Sequence, residues 1–209
     1  MSMKLHCFGE SGHSYKAALT LTLAEQEWDP IFVDFFNGGA RTAEYLELNI
    51  MGEAPVLLDG DTVLTQSGVI QDYISSKSGK LGGSSAAERR EVLRWMFYDN
   101  HKVSSVAGPL RFMMNFLPEE KRNADVIGFL TGRLAGALKV LDTHLDGRDW
   151  LAADGITIAD IACCSYLYYP EPFSFDRKAY PNIERWLDAI AAQPGWKHPY
   201  DLMQRGFNA

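Results

Sequence analysis

The chain has 209 residues, which is enough for one large domain or two modest ones, and its composition is that of an ordinary globular protein. Its net charge of −7, without a basic stripe, argues against binding to nucleic acid or to anionic membranes, although a small anionic ligand stays possible. The three cysteines lack disulfide or metal spacing, and no segment is typical of a signal peptide or membrane span. We therefore expect a cytoplasmic protein without a metal site.

The first part of the chain predicts alternating strands and helices. Asp29-Pro30 should end the first helix, and Asp59-Gly60 is typical of a hairpin turn. The expected elements are strands at 4–8 and 31–36, helices at 15–27 and 43–48, a hairpin of 55–58 with 62–64, and a helix at 67–76 capped by Ser67. The first two strands should be parallel and the last two antiparallel, which is the order of an α/β thioredoxin-like domain.

The remainder of the chain predicts helices only. Residues 78–85 are rich in serine and glycine and form the best linker, which suggests a first domain at 1–80 and a second at 86–209. Apolar residues recur at helical spacing in four segments of the second domain, namely 86–117 with an alternative break at Gly108-Pro109, Asn123 onward to Gly147, 157–169 and 182–192. We expect an all-α helical bundle.

Three motifs, in this order and spacing, resemble the cytosolic glutathione transferase family, specifically its serine-type, bacterial-like members. They are Asn49-Ile-Met-Gly-Glu-Ala-Pro-Val with the following Gln66-Ser67, then Thr157-Ile-Ala-Asp160, and finally Tyr180-Pro-Asn-Ile-Glu-Arg-Trp-Leu187. The resemblance covers nearly the whole chain. It implies an enzyme that takes glutathione as co-substrate, conjugates its thiolate to small hydrophobic electrophiles in detoxification, and forms a homodimer.

The resemblance also implies a set of glutathione-binding residues. Ala54 would pair through its backbone with the cysteinyl part of glutathione, and Pro55 would follow a cis peptide bond. Gln66 and Ser67 would stand at a helix start, where free N–H groups and the helix dipole suit the γ-glutamyl carboxylate. The alternative for Ser67 is a purely structural N-cap, and the alternative for Pro55 is an ordinary trans proline.

Three charged residues, Glu53, Arg41 and Asp99, have alternative roles in or beside that set. Glu53 stands where many family members have lysine or glutamine near the glycyl carboxylate, so it either repels this group, with Arg41 as compensation, or faces solvent. Asp99 interrupts an apolar helical stripe, and a charge on such a face needs a partner. Either Asp99 reaches the glutathione amine across a dimer, as in several classes of the family, or it pairs locally with Lys102 or within the bundle.

The catalytic candidates lie in the loop after the first strand. A thiol has a pKa of about 8.5, which nearby hydrogen-bond donors lower. Ser11 aligns with the activating hydroxyl of the serine-type members and would donate a hydrogen bond to the thiolate. Ser14, His13 and Tyr15 are alternatives, and Ser11 or Ser14 could instead serve only as a helix cap. The cysteines, including Cys7 within the first strand, are interpreted as buried packing residues.

Aromatic residues and a methionine on the second domain's helices could contact a hydrophobic co-substrate, with simple core packing as the alternative. These candidates are Tyr98, Phe112, Met113 and Phe116. Thr157 and Asp160 form a capping box, to which we assign a structural role.

Several functions remain open at this point. Besides conjugation, glutathione could be used to reduce disulfides or peroxides or to isomerise a substrate. The protein could also bind glutathione or another ligand without turnover, or act as an interaction domain that has lost the site. The intact Ala54-Pro55 and Gln66-Ser67 pairs argue against a lost site.

Overall fold

The computed structural model describes residues 2–207, which divide into two compact units. The first unit combines residues 2–82 with residues 194–207, and the second unit is formed by residues 83–193. This division differs from the predicted second domain at 86–209, which included residues 194–207. Residues 194–207 group with the first unit because they bond to it: Gly9 N–H donates to the Gln204 carbonyl at 2.6 Å and the Tyr15 hydroxyl donates to the Lys197 carbonyl at 2.8 Å.

The first unit is an α/β fold around a four-stranded sheet of order β2-β1-β3-β4. Strand β1 pairs with β2 in parallel and with β3 antiparallel, and β3 and β4 form the hairpin, as predicted. The elements are β1 Met3–Cys7, α1 Gly12–Leu23, β2 Trp28–Phe32, α2 Ala43–Leu48, β3 Val56–Asp59, β4 Thr62–Thr65, α3 Ser67–Ser78 and the short α9 Pro199–Leu202. Two single 3-10 turns, Phe35–Asn37 and Gly39–Arg41, precede α2.

Alternate side chains of β3 serve the two faces of the sheet. Val56 packs in a buried cluster with Tyr45 of α2, and the fully buried Leu57 points to the opposite face. Helices α1 and α3 pack against each other. The thioredoxin-like arrangement predicted from the sequence is confirmed.

Two predicted boundaries in the first unit are wrong. Helix α1 begins at Gly12, three residues before the expected start, because Ser11 caps it by accepting from Ser14 N–H at 3.0 Å. Strand β2 includes Asp29-Pro30, which we expected to end a helix. Proline is tolerated there because β2 is an edge strand, where its missing N–H removes no ladder bond.

Across residues 83–193 the structure contains helices and no strand, as predicted. The elements are α4 Ala86–Tyr98, a π-helical turn Asp99–Val103, α5 Ser104–Asn115, α6 Ala124–His144, α7 Ile158–Cys164 and α8 Pro181–Ala191, with 3-10 turns at Glu119–Lys121 and Arg177–Ala179. Helix α7 is shorter than the predicted 157–169 and all its residues are buried. Within residues 2–207, none of the helices is both long and apolar enough to cross a bilayer.

The long helix predicted at 86–117 is interrupted, but not at Gly108-Pro109. Pro109 lies inside α5, and the interruption is the π-helical turn before it. Ser104 holds this wide turn closed with two bonds to Asp99, because its N–H donates to the Asp99 carbonyl and its hydroxyl donates to the carboxylate at 2.8 Å. A buried acid and a serine five residues later therefore set the position of the break.

The predicted capping box at the start of α7 is confirmed and extends further than the sequence indicated. The carboxylate of Asp160 accepts from the N–H and the hydroxyl of Thr157, from Leu151 N–H and from the indole N–H of Trp186, at 2.8–3.0 Å. Asp160 is fully buried. One side chain thus joins the loop before α7, its first turn and helix α8.

We expect Asp160→Ala to lower the free energy of unfolding by about 2–4 kcal/mol, because several buried donors lose their acceptor at once. Urea denaturation followed by circular dichroism measures the change. Asp154→Ala, which removes an exposed carboxylate six residues earlier, is the control and should change stability by less than about 0.5 kcal/mol. Equal midpoints for the two variants would contradict the structural role of Asp160.

Candidate functional site

The loop between β1 and α1 presents the Ser11 hydroxyl at a helix start. Ser11 Oγ accepts from Ser14 N–H at 3.0 Å, and the Ser11 carbonyl accepts from Tyr15 N–H at 2.9 Å. Ser11 is therefore the N-cap of α1, which agrees with the interpretation of Ser11 as a helix cap. Accepting a bond uses a lone pair and not the proton, so the cap role leaves the Ser11 O–H able to donate to an anion.

The start of α3 lies beside the start of α1. His13 Nδ1 and Ser67 Oγ are 3.2 Å apart, so the first turns of the two helices meet through these side chains. The prediction that Ser67 caps α3 is wrong: Gln66 is the N-cap residue and Ser67 is the first helical residue. Two helix N-termini, each with unsatisfied N–H groups and a positive dipole end, therefore converge on one place.

His13 is poorly suited to act as a base. Burial, reinforced by the nearby charge of Lys16, lowers the pKa of the imidazole to about 3. Such a weak base would take a proton from a thiol of pKa about 8.5 only at a large cost. The neutral ring can still donate from one nitrogen and accept at the other.

Two other candidates of the same region lie in the interior. Ser14 is fully buried, and within residues 2–207 its hydroxyl has no hydrogen-bond partner. Because a buried hydroxyl cannot reach a ligand at the surface, the placement does not support a catalytic role for Ser14. Cys7 is also buried, and burial raises the pKa of its thiol to about 12. Cys163 and Cys164 are buried as well, which confirms the interpretation of all three cysteines as packing residues.

The loop before β3 is held by Asn49, for which the sequence predicted no role beyond its place as the first residue of a motif. The buried Asn49 amide donates to the Glu53 carbonyl at 2.7 Å and accepts from Met51 N–H at 3.1 Å, while the Tyr45 hydroxyl donates to the same Glu53 carbonyl at 3.0 Å. The Ala54–Pro55 bond that follows is cis, as predicted. Within the described chain, the backbone N–H and C=O of Ala54 make no hydrogen bond, so both can pair with an extended ligand.

The exposed side chain of Glu53 has a hydrogen-bond partner. Its carboxylate accepts from the side-chain amide of Gln66 at 3.2 Å, although both side chains are exposed. Gln66 has φ 65° and ψ 116°, a backbone conformation that residues other than glycine rarely adopt. Arg41, in the 3-10 turn before α2, donates to the Met51 carbonyl of this loop at 3.2 Å. The glutamate thus fixes the residue immediately before Ser67.

Glu10 is a second residue of the site region that the sequence analysis missed. Its buried carboxylate accepts from Gly206 N–H at 2.9 Å, from Phe207 N–H at 3.1 Å and from Arg205 Nε at 3.4 Å. Since Glu10 directly precedes Ser11, the C-terminal segment anchors the loop that carries the candidate hydroxyl. In the sequence, nothing distinguishes this glutamate from a solvated one.

The remaining candidates belong to the helical unit. Asp99 is 1% exposed and bonds to Ser104, which supports the alternative of a network within the bundle. Tyr98 donates to the Ala137 carbonyl of α6 at 3.1 Å and stacks edge-on against Trp95, so it is tied to the bundle interior. These placements support neither a glutathione contact for Asp99 nor a ligand contact for Tyr98.

Phe112, Met113 and Phe116 lie near the end of α5 and remain partly exposed, Phe112 to 38%. Next to them is Arg111, whose role the sequence did not reveal. Its guanidinium is 2% exposed, pairs with Glu171 at 2.7 Å and lies over the rings of Tyr169 and Phe116. This buried arginine fixes one ring of the aromatic group.

Within the first unit, contacts connect the predicted residues into one chain of neighbours. Ser11 caps the turn that holds His13, His13 meets Ser67, and Gln66 bonds to Glu53, the residue before Ala54. The arrangement offers a hydroxyl, two helix N-termini and an open strand-like backbone. These are the groups needed to bind an extended anionic peptide and to stabilise a thiolate on it.

Comparisons with known proteins find similar sequences and structures over nearly the whole chain. The sequence model of "Glutathione S-transferase, N-terminal domain" matches residues 1–76, and that of "Glutathione S-transferase, C-terminal domain" matches residues 110–194. Glutathione S-transferase 3 of Zea mays is 29% identical, with 93% of this chain and 91% of the relative covered. The disulfide-bond oxidoreductase YfcG of Escherichia coli (strain K12) is 26% identical over 90% and 89%. The crystal structure of a possible glutathione S-transferase from Rhodopseudomonas palustris superimposes with a TM-score of 0.88 at 27% identity, covering both chains fully.

The pKa of His13 gives a prediction about stability. Its folded pKa of about 3 lies below the ordinary 6.5, so the unfolded chain binds a proton that the folded chain refuses. Stability from the neutral ring is therefore present above about pH 6.5 and is lost as the pH falls toward 3. Between about pH 7.5 and about pH 5, the wild type should lose up to about 2 kcal/mol more than His13→Asn in urea unfolding. An equal pH dependence of the two proteins would contradict the lowered pKa.

Proposed function

This chain belongs to the glutathione S-transferase family and has glutathione as its co-substrate, and on this premise we propose that it conjugates glutathione to small hydrophobic electrophiles with the Ser11 hydroxyl stabilising the thiolate. The observation that carries the proposal is the capped start of α1, where Ser11 accepts from Ser14 N–H and keeps its own proton for donation. A cytoplasmic role in detoxification fits such an activity.

Glutathione would lie along the convergence of α1, α3 and the loop before β3. Its γ-glutamyl carboxylate would accept from Ser67 and from the N–H groups that begin α3. Its cysteinyl backbone would pair with the N–H and C=O of Ala54, next to Pro55. Gln66, held by Glu53, would bind the γ-glutamyl end, and Arg41 would lie near the glycyl carboxylate. The support for these roles is the chain of contacts between the residues themselves.

The reaction needs no group from the protein to form a covalent bond. The thiol loses its proton to solvent, and the Ser11 O–H and the α1 dipole stabilise the resulting thiolate. The thiolate sulfur then attacks the electrophilic carbon, forming the S–C bond while the leaving group departs with its bonding electron pair. Phe112, Met113 and Phe116 are the residues we propose for contact with the apolar body of the electrophile.

A second candidate function is the glutathione-dependent reduction of disulfides. The observation in its favour is the similarity to a disulfide-bond oxidoreductase over most of both chains. Because Cys7 is buried with a raised pKa, such a reaction would use glutathione thiolates alone rather than a protein thiol. Formation of oxidised glutathione from a small aromatic disulfide and reduced glutathione, measured beside conjugation, separates the two activities.

We expect Ser11→Ala to lower kcat/KM for a chlorinated nitroaromatic electrophile by about 10- to 100-fold, because one charge-assisted hydrogen bond to the thiolate is lost. The pH–rate profile should shift upward, toward the ordinary thiol pKa of about 8.5. Ser14→Ala is the matched control: it removes a buried hydroxyl that has no hydrogen-bond partner within the described residues and lies three residues after Ser11, so it should keep the wild-type profile. Similar profiles for Ser11→Ala and the wild type would remove Ser11 from the mechanism.

We also propose that the protein is a homodimer. Large apolar side chains are exposed on both units, including Ile50 at 89% in the first and Phe97 at 72% and Phe129 at 63% in the second. Contact between the first unit of one copy and the second unit of its partner would cover such surfaces.

Sedimentation equilibrium should give twice the chain mass of 23.4 kDa for the wild type. Phe97→Glu should shift the protein toward the monomer, because it places a charge in the apolar contact. Lys121→Glu, a charge change in an exposed 3-10 turn, is the control and should remain dimeric. A monomeric wild type at micromolar concentration would refute the dimer.

A further inference from the structure

The contact between His13 and Ser67 has a chemical consequence for ligand binding. Nδ1 of His13 and Oγ of Ser67 are 3.2 Å apart, one on the second residue of α1 and the other on the first residue of α3. Ser67 is 8% exposed, so this contact lies in a largely buried place. The two groups therefore share one hydrogen bond, whose direction decides what Ser67 can do.

Ser67 has a single hydroxyl proton. If the ring carries its proton on Nε2, Ser67 donates to Nδ1, and the hydroxyl then offers an incoming carboxylate only lone pairs, which repel it. If the ring carries its proton on Nδ1, the ring donates to Ser67 Oγ instead. The hydroxyl proton is then available to the carboxylate, so only the second tautomer makes Ser67 a donor to an anion.

We propose that His13 is a positioning residue that donates from Nδ1–H to Ser67 Oγ in the ligand-bound state, so that the Ser67 hydroxyl donates to the γ-glutamyl carboxylate of glutathione. This inference rests on the proposed function, because the ligand is the glutathione of that proposal. The role assigned to His13 involves no contact with the glutathione sulfur.

The surroundings of the ring suit this part. Burial and the charge of Lys16 keep the imidazole neutral, so exactly one ring nitrogen carries a proton at neutral pH. A change of tautomer moves that proton between the nitrogens without changing the net charge of the site. The change of tautomer therefore places no additional charge in the buried site.

Two variants separate positioning from packing. Asparagine at position 13 can supply an amide N–H near the place of Nδ1, whereas leucine has similar bulk and no donor. Calorimetric titration with S-methylglutathione, which lacks the thiol proton, isolates binding from thiolate formation. We expect Kd to rise about tenfold or more for His13→Leu and less than about threefold for His13→Asn, with kcat at saturating glutathione little changed.

The double variant His13→Leu/Ser67→Ala completes a thermodynamic cycle. It should bind no more weakly than Ser67→Ala alone, because His13 acts only through the Ser67 hydroxyl. Additive losses in the double variant, or equal affinities of the wild type and His13→Leu, would overturn the proposal while leaving the transferase function intact.

Nitrogen-15 NMR of the histidine-labelled wild type shows which ring nitrogen of His13 carries the proton. A purely structural role of His13 would not change this protonation on ligand binding, and the measurement does not require the leucine variant to fold. The His13 signals are assigned by their absence from the spectrum of His13→Asn. On saturation with S-methylglutathione, Nδ1 should be the protonated nitrogen. Protonation of Nε2 alone in the bound state would overturn the proposal, and absence of any wild-type binding would overturn it together with the proposed function.

Discussion

The site depends on the parallel packing of α1 and α3. Two contacts define it: His13 meets Ser67 at the N-terminal ends, and Gln71 Nε2 bonds to Thr20 Oγ1 at 3.2 Å further along. Since both contacts advance along the helices in the same direction, the two positive dipole ends coincide. This geometry explains how a chain of net charge −7 can offer a favourable place to an anion: fixed backbone dipoles at the two helix starts attract it, together with the nearby charge of Lys16.

The neighbourhood of this junction is fixed by bonds that run from one loop to the next. Asn49 closes the loop before the cis bond, Glu53 holds Gln66, and Gln66 leads into the first turn of α3. Each member restrains the following one, which leaves the Ala54 backbone as the part still open for pairing. Pre-organisation of this kind lowers the entropy cost of ordering these loops when a tripeptide ligand binds.

Features set by local chemistry could be predicted from the sequence, and features set by tertiary contacts could not. The bounds of α2, the hairpin and the capped start of α6 at Asn123 follow from neighbouring residues, and so they were predicted closely. The early start of α1, the proline in an edge strand and the π-helical turn depend on sheet position or on a buried acid. At the site, the roles of the Ala54-Pro55 and Gln66-Ser67 pairs could be proposed from the sequence because each pair is a contiguous motif. The partners of His13, Glu53 and Asp99 lie 54, 13 and 5 residues away and leave no periodic signal.

The hydrogen bonds from residues 205–207 to Glu10 join an early and a late segment of the sequence in the first unit. The helical unit is in effect an insertion between the two parts of an α/β fold. During synthesis from the N-terminus, residues 83–193 can complete their own core while Glu10 still lacks these three donors. The loop that carries Ser11 acquires this support only when residues 205–207 have emerged, so this part of the first unit matures after the helical unit, although most of its residues are made first.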